Sequence, residues 1–169
     1  PCYGGTDQVT LLEPQSKKPM ATLTFNDVIG QGKKDLFNVA QYFNPEQIDI
    51  IGLQISTGGS KTGQVIEDLK RNDREDAHML QGLSDRIAED LAEYTHREMV
   101  RGVFGDDQHS STRYSPGYPA MSDISNNKTI YDLLDGCNRL GIRLTEGFEF
   151  DPTGTTAAVV CFHPDAGYH

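Results

Sequence analysis

The run Asp76-Ala77-His78-Met79-Leu80-Gln81-Gly82-Leu83-Ser84-Asp85-Arg86-Ile87-Ala88-Glu89-Asp90-Leu91-Ala92-Glu93-Tyr94-Thr95-His96-Arg97-Glu98-Met99-Val100 decides the fold. Leu80, Leu83, Ile87, Leu91 and Tyr94 recur at intervals of three and four, the spacing that lines one side of an α-helix. Successive helical residues turn by about 100°, so Asp85, Glu89, Glu93 and His96 fall on another side of the same helix. The apolar stripe is expected to face the core and the acidic stripe to be solvated. Helical patterning begins near Gln64 and runs to about Val103, with a break expected at Asn72-Asp73.

Upstream, Val9 to Glu13 and Ala21 to Phe25 are β-prone runs separated by the turn-like Pro14 to Pro19, and they read as neighbouring strands. Asp35 to Tyr42 is expected to form a short helix that ends before Asn44-Pro45, because a residue preceding proline avoids the helical region. Ile48 to Ile55 reads as a buried strand closed by Thr57-Gly58-Gly59. Downstream, Gly105 to Asp123 reads as loop, and Thr129 to Leu140 as a short helix capped by Gly141. The tail alternates with a period of two. Ile142, Leu144, Phe148 and Phe150 share one face, and Thr156, Ala158, Val160 and Phe162 continue the pattern after the turn at 151–154, which predicts a hairpin. Strands at both ends with helices between them give an α+β domain, a largely antiparallel twisted sheet packed against the long helix.

At 169 residues the chain fits one domain, large enough to bury about 70% of its extended surface without staples. Cys2, Cys137 and Cys161 are odd in number and widely separated, so a disulfide framework is not expected and a reducing, cytoplasmic setting is. No apolar run approaches the roughly 20 residues of a membrane span. The net charge of −10 disfavours nucleic acid, whose binding depends on Lys and Arg neutralising phosphates. The chain opens on Pro1 and closes on His169 directly after a strand-like run, so either end can be a fragment boundary.

Familiar motifs fail on spacing. Gly30-Gln31-Gly32 lacks the third glycine of a dinucleotide fingerprint, and Gly58-Gly59-Ser60-Lys61-Thr62 lacks the glycines of a phosphate loop and reads as a strand-to-helix turn. Glu93-Tyr94-Thr95-His96 is a single Glu-x-x-His where a carboxylate di-metal site needs two, and the five histidines show no paired ligand spacing, so no metal is expected. Thr112 to Ala120 places Arg113, Tyr114, Tyr118, two prolines and Gly117 in nine residues. Prolines stiffen such a loop, glycine admits a positive φ, and Arg113 can clamp a carboxylate through two parallel hydrogen bonds. An ordered surface loop with Arg113 paired to a nearby acid fits the same residues.

Arg113-x-x-Pro-Gly-Tyr-Pro-Ala120, then Leu144-Thr145-Glu146, then Phe162-His163-Pro164-Asp165-Ala166-Gly167-Tyr168, resembles the C-terminal activation domain of cobalamin-dependent methionine synthase. Gly82 to Glu89 and Ala92 to Glu98 resemble that family's long helix, and Ile51-Gly52 through Gly59 the strand and turn before it. The resemblance implies S-adenosylmethionine binding and supply of its methyl group to cobalamin, which a separate module holds and which has been oxidised to the inactive cob(II) state. By position it assigns ligand binding to Arg113, Gly117, Tyr118, Ala120, Tyr168 and His169. It assigns docking of the cobalamin module, in cis or in trans, to Asp85, Glu89 and Tyr118. The implied activity is that of a methyltransferase reactivation domain, dependent on the cobalamin module.

The family pattern is not followed throughout. Met121-Ser122 stands where the family has Cys-Pro, Thr153 to Thr156 replaces a serine-rich segment, His169 takes an aromatic position, and the family's N-terminal helical portion and extreme C-terminus are expected to be absent. A flavodoxin-type reductase is the implied electron donor. Such donors are acidic, so a chain at −10 repels one at long range and only basic groups such as Lys17, Lys18, Lys33, Lys34, Lys70, Arg71, Arg97 and Arg101 can receive it. The alternative is a non-catalytic module that binds S-adenosylmethionine or caps a corrinoid protein. A hydrolase using Cys161 or Cys137 with a histidine is a third reading.

Overall fold

The computed structural model describes residues 1–29, 36–105 and 109–167. In chain order the elements are β1 (Cys2–Gly4), β2 (Gln8–Leu12), β3 (Pro19–Thr24), β4 (Asp27–Ile29), β5 (Leu36–Asn38), a 3-10 turn (Val39–Tyr42), β6 (Ile51–Thr57), α1 (Ser60–Asn72), α2 (Arg74–Phe104), β7 (Thr112–Tyr114), α3 (Asn126–Leu133), α4 (Gly136–Leu140), β8 (Arg143–Leu144), β9 (Phe150–Asp151) and β10 (Thr155–Cys161). All strand pairs among the described residues are antiparallel. They form sheets in the orders β1-β2-β3 and β6-β10-β7, with small pairs β4-β5 and β8-β9. The α+β expectation with a long helix holds.

The helical break falls at Asp73, which is extended (φ −145°, ψ 99°) and caps α2 by accepting from the amides of Glu75 and Asp76 at 3.1 and 3.0 Å. Gly105, at φ 83°, ends the helix in the left-handed conformation. The buried face of α2, however, is Ala77, Ser84, Ala88, Ala92 and Val100. The expected apolar stripe is exposed: Leu83 is 55% accessible, Ile87 44%, Leu91 43% and Tyr94 62%, while Leu80 is half-buried. Ser84, Ala88 and Ala92 follow that stripe by one residue, so they lie about 100° around the helix, and Asp85, Glu89 and Glu93 lie about 100° further on.

Close approach explains the choice of small residues. A Cβ on Gly58 or on Gly154 would sit 2.2 Å from Ser84 Oγ, and the Gly58 amide bonds to the Gly154 carbonyl at 2.8 Å beneath it. Gln54 Nε2 donates to the Ala92 carbonyl at 3.2 Å. The sheet β6-β10-β7 therefore presses α2 on one face. Its other face, with Ile51, Leu53, Ile55, Ala157, Val159 and Cys161, joins the main core built with Val9, Leu23, Val39, Met121, Ile130 and Ile142.

Four local expectations are corrected. Residues 36–42 form a strand and a 3-10 turn, because the Asn38 side chain accepts from the Ala40 amide at 3.0 Å and starts a tight turn. The strand expected from Ile48 begins at Ile51, with Ile48 and Ile50 left exposed. The helix at 129–140 is two helices, split where Asp135 adopts φ 52°; Gly141 caps the second as expected. The tail hairpin is β8 with β9, while Thr155–Cys161 passes between β6 and β7. Alternation identifies faces but not partners, and β10 is buried on both faces.

Candidate functional site

The acidic side of α2 faces the loop that follows β7. Within the stretch read as loop, Thr112–Tyr114 pairs with β10 in the register Val160↔Arg113. Beyond it the chain turns tightly. The Tyr118 amide donates to the Ser115 carbonyl at 3.3 Å, the Met121 amide to the Tyr118 carbonyl at 2.8 Å, and the Gly117 amide to the Met121 carbonyl at 2.9 Å. Gly117, at φ 91°, takes a conformation open to glycine, which is why the loop can close here. The Ala120 carbonyl accepts from the Asn26 amide at 3.0 Å, and Asn26 Oδ1 accepts from the Ser122 amide at 2.9 Å. Met121 is fully buried. The Met121-Ser122 departure thus serves the scaffold under the loop.

These parts enclose a cleft of about 230 Å³ lined by Glu89, Arg113, Tyr114, Ser115, Tyr118, Pro119 and Ala120. A second depression of about 260 Å³ shares Glu89, Ser115 and Tyr118 with it and extends to Asp85, Thr153 and Thr155. Tyr118 is 66% exposed and projects from the rim, whereas Ala120 is buried in the wall. Arg113, Tyr118, Ala120 and Glu89 line the first hollow, Asp85 lines the second with Glu89 and Tyr118, and Gly117 shapes the loop. Tyr168 and His169 lie outside the described residues, as do Lys33, Lys34 and the motif at 30–35.

Arg113 supplies the cleft's cation. Its side chain is 15% exposed, its Nη2 lies 3.5 Å from Glu93 Oε2, and its Nε is buried without a hydrogen-bond partner among the described residues. A buried guanidinium N–H left unpaired is costly. Burial holds the His96 imidazole below its ordinary value, opposed by the nearby Glu93 charge and reinforced by Arg113 and Arg97; His96 Nε2 is 2.8 Å from Ser111 Oγ. No group of three or more His, Cys, Asp or Glu side chains among the described residues is arranged to hold a metal ion. No helix is long and apolar enough to cross a membrane among the described residues.

Sequence reasoning missed what holds the tail against this site. Thr112 Oγ1 donates to the Ala166 carbonyl at 3.0 Å, Tyr114 OH to the Gly167 carbonyl at 2.9 Å, and Tyr42 OH to the Asp165 carbonyl at 3.0 Å. His163 stacks on Tyr42 with ring centroids 4.7 Å apart. The alternation of hydroxyls at 112 and 114 around Arg113 was the available signal.

Residues 2–169 match the family described as the activation domain of vitamin B12-dependent methionine synthase. The chain belongs to this family. It is 25% identical over 191 aligned positions to the methionine synthase of Mycobacterium tuberculosis, an alignment covering 97% of this chain and 16% of that protein. It is 26% identical over 141 positions to the Mycobacterium leprae methionine synthase, covering 72% of this chain and 12% of the relative. This activation-domain chain thus spans less than a fifth of the length of these curated relatives. A crystal structure of the MetH reactivation domain bound to AdoHcy superposes with a TM-score of 0.85 at 24% identity, covering 100% of this chain and 58% of that one, and shares its fold.

Proposed function

We propose that this activation domain binds S-adenosylmethionine in the cleft beside Arg113 and presents it to a cobalamin module, supporting remethylation of cobalamin oxidised to the cob(II) state. One observation carries the reading: Arg113, its side chain 15% exposed, lines a cleft that Glu89 also lines. A zwitterionic amino acid joined to a sulfonium needs that pairing of one fixed cation with acidic surroundings. Family membership, and a neighbour of the same fold solved with AdoHcy, support the same ligand class.

Bound S-adenosylmethionine supplies an activated methyl group, so the protein's own contribution is positioning and electrostatics. Arg113 fixes the carboxylate, Ala120 and Pro119 form the apolar wall, and Gly117 lets the loop close over it. The family resemblance adds Tyr168 and His169 to the ligand-binding residues. Tyr118, exposed at the rim, and Asp85 and Glu89 beyond it meet the cobalamin module. A flavodoxin-type reductase supplies the electron in a reducing, cytoplasmic setting.

Titration calorimetry with S-adenosylmethionine tests the reading on wild type and Arg113→Ala. Removal of a charge-assisted carboxylate clamp is expected to weaken binding at least about ten-fold. Equal affinity sinks the assignment of Arg113. Methyl transfer to a cobalamin module added in trans, under reducing conditions, separates a reactivation domain from a module that only binds.

A further inference from the structure

Glu93, one turn beyond Glu89 on the same row of α2, does not line the cleft; with His96, Arg97 and Ser111 it lines a separate depression. Glu93 Oε2 is 3.5 Å from Arg113 Nη2, while Glu93 Oε1 accepts a hydrogen bond from Arg97 Nε at 3.1 Å. The carboxylate is thus held by a residue one turn further along its own helix, and it holds a residue on the neighbouring strand. One turn on, His96 bonds Ser111, which leads into β7, so α2 grips the strand on both sides of Thr112.

We propose that Glu93 is a positioning residue that tethers one corner of the Arg113 guanidinium and aims the rest at the carboxylate of an amino-acid nucleoside. The inference rests on the reading of Arg113 given above. A guanidinium has five N–H donors in a rigid fork, and an ion pair at one corner leaves the rest of the fork for a ligand. A fork already fixed at that corner loses less freedom when the ligand binds, which raises affinity without any contact from Glu93 itself. Glu89 lines the cleft. Without Glu93, Arg113 is drawn to Glu89 and blocks the position the ligand carboxylate needs.

The test uses the full chain, with AdoHcy and with 5′-methylthioadenosine, a nucleoside thioether that lacks the amino-acid part. Glu93→Gln is expected to weaken AdoHcy about ten-fold, the scale on which outer-shell partners act, and to leave methylthioadenosine unchanged. Arg97→Gln, which removes only the support of Glu93, gives a smaller loss with the same selectivity. Unchanged AdoHcy affinity in Glu93→Gln overturns the proposal, and so does an equal loss of both probes, which signals general disturbance. If Arg113→Ala binds AdoHcy as wild type does, the reading of Arg113 fails instead. The Arg113 Nε–Hε NMR resonance tests the tether without any ligand. A dispersed, sharp signal in wild type that collapses toward the free-arginine position in Glu93→Gln is expected, and identical spectra overturn the proposal.

Discussion

His96 sits half-buried on α2 with Glu93, Arg97 and Arg113 around it, and burial lowers its proton affinity below the ordinary value of 6.5. In the unfolded chain the ring titrates near that ordinary value, so between the two values the unfolded state binds more protons. Stability from this group is therefore fully present above pH 6.5 and is lost as pH falls through the lower folded value. His96→Asn keeps a polar partner for Ser111 but cannot be protonated. Urea midpoints for the two proteins should converge as pH is lowered from about 7.5 to about 5, the range over which histidine titrates; a constant gap refutes it. The thiols divide by burial too. Desolvation, with the Asp49 charge second, pushes Cys2 and Cys161 each up to about 12, while Cys137 is exposed. Native protein at neutral pH should label at Cys137 alone with a thiol reagent, all three reacting only after denaturation. That outcome also removes Cys161 as a nucleophile, since the reactive form is the thiolate.

At the scale of the element, α2 carries three adjacent rows offset by one residue each, and the middle row of small side chains is the one the sheet presses. Ala88→Leu is expected to cost about 2 kcal/mol through overpacking, whereas Ile87→Ala, on the exposed row, should cost under about 1 kcal/mol. Chemical denaturation of both variants checks the order, and a larger loss at Ile87 refutes it. Gly154→Ala should destabilise as Ala88→Leu does, because its Cβ would meet Ser84 Oγ at 2.2 Å. Periodicity made the helix and its break at Asp73 legible, but it reports that an apolar row exists, not which row meets the sheet. Contact between α2 and β6 is set by glycines about 25 and about 70 residues away from Ser84 in the chain, which no window of helical length contains. The loop at 113–120 was legible because Pro, Gly and Arg each impose a local constraint. The strand Thr112–Tyr114 was not, since three residues are too few to display a period and its partner, β10, lies far along the chain.

Over the whole molecule the net charge of −10 acts on any acidic electron donor before a contact forms. Three cations that could receive such a donor are already engaged, Lys70 with Glu67, Arg97 with Glu93 and Arg101 with Glu98. Breaking these pairs to dock a donor returns little, because exposed pairs are each worth under about 1 kcal/mol and their carboxylates remain beside the interface. Repulsion at long range is screened by salt, with a Debye length of about 30 Å at 0.01 M and about 8 Å at 0.15 M. Association with an acidic flavodoxin-type donor should therefore become faster between those two salt concentrations, the reverse of an electrostatically steered pair. Stopped-flow association rates at both concentrations decide it. A rate that falls with salt would show that Lys17, Lys18 and Arg71 outweigh the overall charge, and Lys17→Glu with Lys18→Glu should then abolish the salt dependence. A rate that rises puts the encounter on short-range contacts, so charge reversal at those lysines should leave it within about two-fold, as expected of exposed residues away from the interface.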